Sequence, residues 1–226
     1  MGANVMMATS SEGVQDLETH RVHLLEKYGH PDIVMAVDDQ PGIDWLINYF
    51  SDQVRDGVHF KSGQTVQIGW ALLKLSGDDS KELRVFEPDF ASMPVRWVSG
   101  ISRAMRHLTI QREVCKQVGE SPCFPSMVEP GVVSPNFVSG RSAFSMSRDN
   151  DGWLFRARED EGHQAGLCSL YALATERTAA IPFLALPPGT EVDWERGSAV
   201  ISFNGRQHYS RSNAFLNRML ASSALL

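Results

Sequence analysis

Hydrophobic residues recur at helical spacing in several stretches of the chain. The clearest runs from Ile43 to Arg55, where apolar residues at i, i+3, i+4, i+7 and i+11 predict an amphipathic helix. Similar spacing predicts helices over Val14–Tyr28 and Pro94–Val118, the second with proline in its first turn. A short helix is predicted at Leu167–Thr175, and a terminal helix within Ser210–Leu226.

Other stretches are typical of strands. Thr65–Leu75 and Leu83–Phe90 are apolar runs separated by the turn-forming sequence GDDS, which predicts a hairpin. Two further runs, EVDWE and AVISFNG, predict a second pair of strands near the carboxyl end. Between positions 119 and 135, prolines and glycines are dense enough to predict a linker or an irregular crossover.

One stretch, SRDNDGWLFRAREDE, predicts a hairpin with an acidic tip. Before it, Phe144 and Met146 alternate with serines, which is the period of a half-buried strand. After it, Trp153 and Phe155 share one face, so we expect Trp153 in the core. The intervening Asp-Asn-Asp-Gly is turn chemistry, because short polar side chains bond their own backbone and glycine accepts positive φ.

Two other interpretations of this stretch fit less well. A calcium-binding EF-hand loop aligned on Gly152 would place Arg158 at the position that requires a bidentate glutamate, and a guanidinium cannot bind a cation. A catalytic carboxylate pair needs a cleft, which two acidic residues beside a turn do not provide.

The order of elements predicts the α+β class. We expect two small modules, residues 1–120 and 121–226, each a mostly antiparallel sheet with packed helices. The chain has 226 residues, enough to bury a substantial core.

Composition limits the classes of function and of partner that we expect for this protein. A net charge of -6 disfavours general nucleic-acid binding, which requires a basic face, and is compatible with a basic protein partner. The three cysteines lack zinc-ligand spacing, and no cofactor or metal site is predicted. We find neither a secretory signal nor an apolar run long enough to span a membrane, so we expect a cytoplasmic protein.

Negative charge is concentrated before residue 93. Residues 1–92 hold 15 acidic and 7 basic residues, whereas 94–118 hold five basic and one acidic. The acidic residues gather around the helix that begins near Ile43, at Asp38, Asp39, Asp44, Asp52 and Asp56. Asp44 favours the helix dipole from the first turn. The others have no such role within the helix, so they form either a solvated face or a binding surface.

Catalytic motifs are scarce. The chain contains no phosphate-binding glycine loop, no HExxH and no GxSxG, and its histidines are dispersed. We therefore expect a protein that is not an enzyme. A hydrolase with a spatially assembled site, or a regulatory or scaffold module, are the alternatives.

The second half resembles the bacterial immunity-protein domain catalogued as family 33. The resemblance spans roughly Ser139 to Glu195, where a strand leads through a polar turn to a Gly-Trp-x-Phe strand, an acidic segment, a short helix and a proline-glycine ending. The matching residues are Asp151, Gly152, Trp153, Phe155, Glu159, Asp160, Leu170, Leu173, Ile181, Leu184, Pro188, Gly189, Val192 and Glu195. The chain departs from the family in its shorter acidic stretch and in Trp194, where phenylalanine is expected.

The resemblance implies an antitoxin that binds and neutralises a cognate antibacterial effector of interbacterial competition, such as a type VI secretion effector. Because the chain is acidic, we expect a basic toxin encoded by the adjacent gene, namely a nuclease (DNase) whose active site is occluded by phosphate mimicry. A toxin that attacks NAD or translation fits as well. We expect no direct contact with nucleic acid or membrane.

Two surfaces are candidates for binding the toxin. One consists of Asp38, Asp39, Asp44, Asp52 and Asp56, and the other of Asp149, Asp151, Glu159, Asp160 and Glu161. The sequence does not show which of the two surfaces binds the toxin.

Overall fold

Two sheets, one from each half of the chain, share a single hydrophobic core. The computed structural model describes residues 17–38, 42–137, 143–158, 160, 166–212, 214 and 217. The fold class is α+β, as predicted, with mostly antiparallel strands and helices packed against them.

The first sheet has six strands in the order β1-β2-β5-β4-β3, with β6 paired to β5. All pairs are antiparallel except β2 with β5. The elements of this half are β1 (Glu18–Val22), α1 (Leu25–Tyr28), β2 (Asp32–Val37), α2 (Ile43–Arg55), β3 (Thr65–Ile68), β4 (Ala71–Asp78), β5 (Glu82–Pro88), β6 (Trp97–Ser99) and α3 (Ser102–Val118).

The second sheet has seven strands in the order β10-β7-β9-β8-β11-β12-β13. Only β7 and β9 pair in parallel. Its elements are β7 (Pro130–Val133), β8 (Phe144–Arg148), β9 (Trp153–Ala157), β10 (Gly166–Ser169), α4 (Leu170–Glu176), β11 (Thr190–Glu195), β12 (Ser198–Phe203) and β13 (Arg206–Tyr209), with 3-10 helices at Thr178–Phe183 and Ser210–Ser212.

Hydrogen bonds tie the two halves together at their shared core. The Gln111 side chain on α3 donates to the Ile181 carbonyl at 2.8 Å, and the Tyr171 hydroxyl donates to the Asp89 carbonyl at 2.6 Å. The buried hydrophobic side chains of both sheets belong to one contiguous cluster. The strands of the first sheet all precede residue 120 and those of the second sheet all follow it, while the cores of the two sheets are continuous.

Several predicted elements are confirmed. The helix α2 has the predicted bounds, Ile43–Arg55. The β8–β9 hairpin has its turn at the Asp-Asn-Asp-Gly sequence, and Trp153 is buried as expected. The strands β11 and β12 pair where EVDWE and AVISFNG predicted them.

The helix predicted over Val14–Tyr28 is wrong within the described residues. Glu18–Val22 is an edge strand paired with β2, and only Leu25–Tyr28 is helical. An edge strand with one buried residue carries little period-two signal, so the spacing of the leucines on either side of it, Leu17, Leu24 and Leu25, was misleading. Residues 14–16 lie outside the described residues.

Two other boundaries differ from the prediction. Thr65–Leu75 is two strands, because the chain turns at Gly69, whose φ of 62° favours glycine. The helix predicted from Pro94 begins only at Ser102, because Trp97–Ser99 pairs with β5 as β6. The terminal helix predicted within Ser210–Leu226 lies mostly outside the described residues.

Among the described residues, the helices are all too short or too polar to cross a lipid bilayer.

Candidate functional site

The helix α2 presents an exposed face that combines carboxylates with an aromatic ring. It buries Leu46, Phe50 and Val54, spaced four residues apart, against the first sheet. A different face therefore points to solvent. We call the exposed residues Asp44, Trp45, Asp52 and Asp56 the α2 surface.

Trp45 is a preformed aromatic platform on the α2 surface. Its ring stacks on Tyr49 with 5.8 Å between ring centroids, and the Arg112 guanidinium of α3 lies 4.7 Å from the Trp45 ring centroid. Contacts of these two kinds restrict the indole, yet 38% of the residue stays exposed. An exposed, restricted indole is the kind of side chain that anchors protein interfaces.

The carboxylates of the α2 surface remain in solvent. Arg55 contacts Asp52 at 2.8 Å and Asp56 at 3.5 Å, but these side chains are more than half exposed. Such pairs contribute little stability, so a partner can reorganise them at small cost. With Asp44 the surface holds three carboxylates against two guanidinium groups, that of Arg55 and that of Arg112 over the Trp45 ring.

Asp38 does not share this surface, contrary to expectation. Its side chain is 15% exposed, and one carboxylate oxygen accepts from Arg106 at 3.4 Å. Its backbone N–H donates to the Ser102 hydroxyl at 2.9 Å. Asp38 therefore joins the end of β2 to the start of α3, a role that a sequence run of aspartates does not reveal. Asp39 lies outside the described residues.

A buried carboxylate, Glu87, lies close to this junction. It accepts from the Ala104 backbone N–H at 2.8 Å and from that of Arg103 at 3.4 Å, both in the first turn of α3. Burial raises the pKa of Glu87 to about 7, although the two amide donors oppose the shift. Nothing in the sequence pointed to this group, because Glu87 lies in an otherwise ordinary strand.

In the second predicted surface, the acidic hairpin, the described members Asp149, Asp151 and Asp160 do not form one patch. Asp149 accepts from the backbone N–H groups of Asp151 at 2.8 Å and Gly152 at 3.0 Å, so its carboxylate shapes the turn. Asp151 is exposed at the tip. The five-residue strand β9 then carries the chain about 17 Å away before the second acidic segment begins.

The expected exposure of Asp160 is wrong. Asp160 is 5% exposed and accepts from the Asn136 backbone N–H at 2.7 Å and from the Asn136 side-chain amide. A buried carboxylate with these donors stabilises the loop after β7 rather than presenting charge to a partner. Glu159 and Glu161 lie outside the described residues.

Sequence reasoning missed a groove on the outer face of the second sheet. We call it the sheet groove. It has a volume of about 990 Å³, and its lining includes Arg156, Arg196, Arg211, Asp193 and Tyr209. Side chains in β9 alternate between the two faces of the sheet, so the sequence placed Arg156 on the face opposite to Trp153. That alternation was the one feature of the sequence that pointed toward the groove. The sequence could not show which strands lie beside β9.

The residues that carry the family resemblance are mostly structural. Those with apolar side chains are buried, namely Trp153, Phe155, Leu170, Leu173, Ile181, Leu184 and Val192. They fill the core between the second sheet and α4. These positions therefore belong to the core of this half, whereas binding depends on exposed residues.

Comparisons of the chain with protein-family models, curated proteins and solved structures find no match. Within the part of the chain that the structure describes, no three His, Cys, Asp or Glu side chains are grouped to hold a metal ion.

Proposed function

We propose that this protein is an immunity protein, an antitoxin that binds a cognate antibacterial effector in the cytoplasm and occludes its active site. It acts by stoichiometric binding rather than by turnover. The observation that carries the proposal is the α2 surface, where a restricted, exposed indole lies among carboxylates. The family resemblance of the second half supports the same function.

The partner is a basic nuclease, a DNase, encoded by the adjacent gene. A nuclease that holds DNA carries a positively charged groove. The carboxylates of Asp44, Asp52 and Asp56 repeat along one helix as phosphates repeat along a strand, and Trp45 offers a flat ring where a base would lie. Complementary charge speeds association, and the aromatic anchor supplies affinity.

The α2 surface is a better candidate than the hairpin. In the hairpin, the exposed Asp149 holds the turn and Asp160 is buried, which leaves Asp151, among the described members of that set, as the exposed carboxylate without such a structural role. The α2 surface keeps three exposed carboxylates beside an aromatic anchor.

Charge reversal distinguishes the two surfaces. We expect Asp44→Lys, Asp52→Lys and Asp56→Lys together to weaken binding to the adjacent-gene toxin at least 100-fold, and to flatten the dependence of affinity on salt. Affinity is measured by isothermal titration calorimetry at two or more salt concentrations.

The matched control is Asp149→Asn with Asp151→Lys, which changes charge at the hairpin tip while keeping a polar side chain in the turn. We expect its affinity to stay within threefold of the natural protein. Binding lost in the control and kept in the α2 variant would move the contact surface to the hairpin.

A further inference from the structure

The sheet groove runs across five strands of the second sheet. Strand register places Arg156 of β9 beside Ser145 of β8, then Asp193 of β11, Val200 of β12 and Tyr209 of β13. Four steps between strands span about 19 Å. That is the length of about six residues of extended polypeptide.

The groove has a small excess of basic side chains in an acidic protein, because four arginines line it against the three carboxylates of Asp160, Asp193 and Glu195. Arg156, Arg196 and Arg211 are exposed, and none of them forms an ion pair with another described residue. A fourth arginine, Arg158, is paired with Glu195 at 3.2 Å. Unpaired guanidinium groups around a concave surface favour carboxylate or phosphate ligands, which they bind in a bidentate manner.

The floor of the groove favours a peptide over a nucleic acid. Asp193 lies in the middle of the row, between Ser145 and Val200, and it is exposed. Its carboxylate would repel a continuous run of phosphates, but it can pair with a lysine of a peptide. Tyr209 at the β13 end is 51% exposed and offers an aromatic contact.

We propose that the sheet groove binds an extended segment of about six residues from a partner protein, with acidic residues at both ends and a neutral or basic residue in the middle. Arg156 receives one acidic end, and Arg211, two residues after Tyr209, receives the other. Asp193 faces the centre. This site lies on the second sheet, apart from the α2 surface of the first half, and does not rest on the toxin proposal.

The test uses two libraries of labelled hexapeptides. One fixes Glu at both ends and Lys at the fourth position, and the other fixes Lys at both ends and Glu at the fourth position. Six-nucleotide oligothymidylate is the third probe. We expect the full-length protein to select peptides from the first library and to show no binding of the oligonucleotide by fluorescence anisotropy.

A double variant and a matched control assign the binding to the groove. Arg156→Glu with Arg211→Glu should reduce affinity for the selected peptides at least tenfold. Lys61→Glu with Arg206→Glu changes the net charge equally on exposed residues that do not line the groove, and it should leave affinity within twofold. Melting curves establish that both variants fold, and Arg156→Gln with Arg211→Gln replaces the first if it does not.

Three results would overturn the proposal. They are selection of no peptide, equal affinity of the groove variant and the natural protein, and a preference for the second library. Binding of oligothymidylate that is lost in the groove variant would replace the peptide with a nucleic acid. Concentration-dependent self-association lost in that variant would replace it with a second copy of this chain.

Discussion

At the scale of single residues, Trp45 and Asp160 illustrate opposite uses of a chemically conspicuous side chain. Trp45 sits between Tyr49 and Arg112 but leaves part of its ring in solvent. Asp160 is enclosed and bonded to Asn136. The first is available to a partner without reorganisation, whereas the second is needed to complete the fold.

Replacing Trp45 with alanine tests the anchor. We expect Trp45→Ala to weaken toxin binding by about 30-fold or more, because central aromatic anchors contribute about 2 kcal/mol or more to interfaces. Tyr28→Ala is the control, since Tyr28 is also 38% exposed but lies outside the α2 surface. Surface plasmon resonance compares them, and equal losses in the two variants would contradict a specific role for Trp45.

Removing the Asp160 carboxylate tests its structural role. We expect Asp160→Ala to lower the free energy of unfolding by about 2 kcal/mol, because the backbone and side-chain N–H groups of Asn136 lose their acceptor. Asp151→Ala, at the exposed hairpin tip, should change it by less than about 0.5 kcal/mol. Urea denaturation followed by circular dichroism measures both, and similar stabilities would show that Asp160 is dispensable.

At the scale of elements, the start of α3 is where the first sheet and the helix layer are joined. Glu87 from β5 accepts from the first turn of α3, and Asp38, the residue after β2, contacts Arg106 one turn later. Burial raises the pKa of Glu87 because its charged form loses hydration. The junction is therefore sensitive to pH.

The free energy of unfolding should fall as pH rises from about 4.5 to about 7. The folded state binds the Glu87 proton more tightly than the unfolded chain, whose glutamate pKa is near 4.5. The stabilisation is complete below pH 4.5 and is lost as pH rises through about 7, with an upper limit of about 3 kcal/mol.

Comparison with Glu87→Gln isolates this contribution. The unfolding free energy of the natural protein minus that of the variant should decrease between pH 5 and pH 8. Glu120→Gln, at an exposed residue after α3, should show a constant difference. A flat difference for Glu87→Gln as well would remove the proposed titration.

Elements with strong local signals were predictable from the sequence. The spacing of apolar residues in α2 and the turn chemistry after Arg148 each specify their element locally. The strands β2, β7, β10 and β13 were missed because they are short or pair with distant partners. The extent of α3 was overstated because Trp97–Ser99 forms long-range pairs with β5 that outweigh local helical spacing.

At the scale of the whole molecule, the continuous core joins two sheets that the sequence divides near residue 120. Tyr171 from α4 reaches the carbonyls of Asp89 and Ser92 in the first half, at 2.6 and 3.0 Å. The 3-10 helix Thr178–Phe183 packs against α3. Neither half buries its apolar residues fully without the other.

We therefore expect both halves to unfold in one transition. Hydrogen exchange measured by mass spectrometry should give equal opening free energies for peptides from α3 and from the β8–β9 hairpin. Tyr171→Phe should lower both values together, by about 1 kcal/mol, because two carbonyls lose a donor. Loss of protection in one half alone would indicate two independent modules.

The sheet groove also belongs to this scale. Its row of residues is assembled from strands that are scattered between positions 144 and 209. Residue spacing in β9 placed Arg156 on the outer face, but only strand order places Asp193 and Tyr209 beside it. The aspartates of the α2 surface were easier to foresee, because α2 and its C-cap residue Asp56 hold all of them, whereas Trp45 was not foreseen.

The most direct test of the proposed function is titration of the purified toxin from the adjacent gene with this protein, while cleavage of plasmid DNA is followed. If the protein occludes a nuclease, cleavage stops at one equivalent of the natural protein. The Asp44, Asp52 and Asp56 charge-reversal variant then stops cleavage only when it is in large excess over the toxin. Undiminished cleavage at a tenfold excess of the natural protein would contradict the claim that it occludes a nuclease.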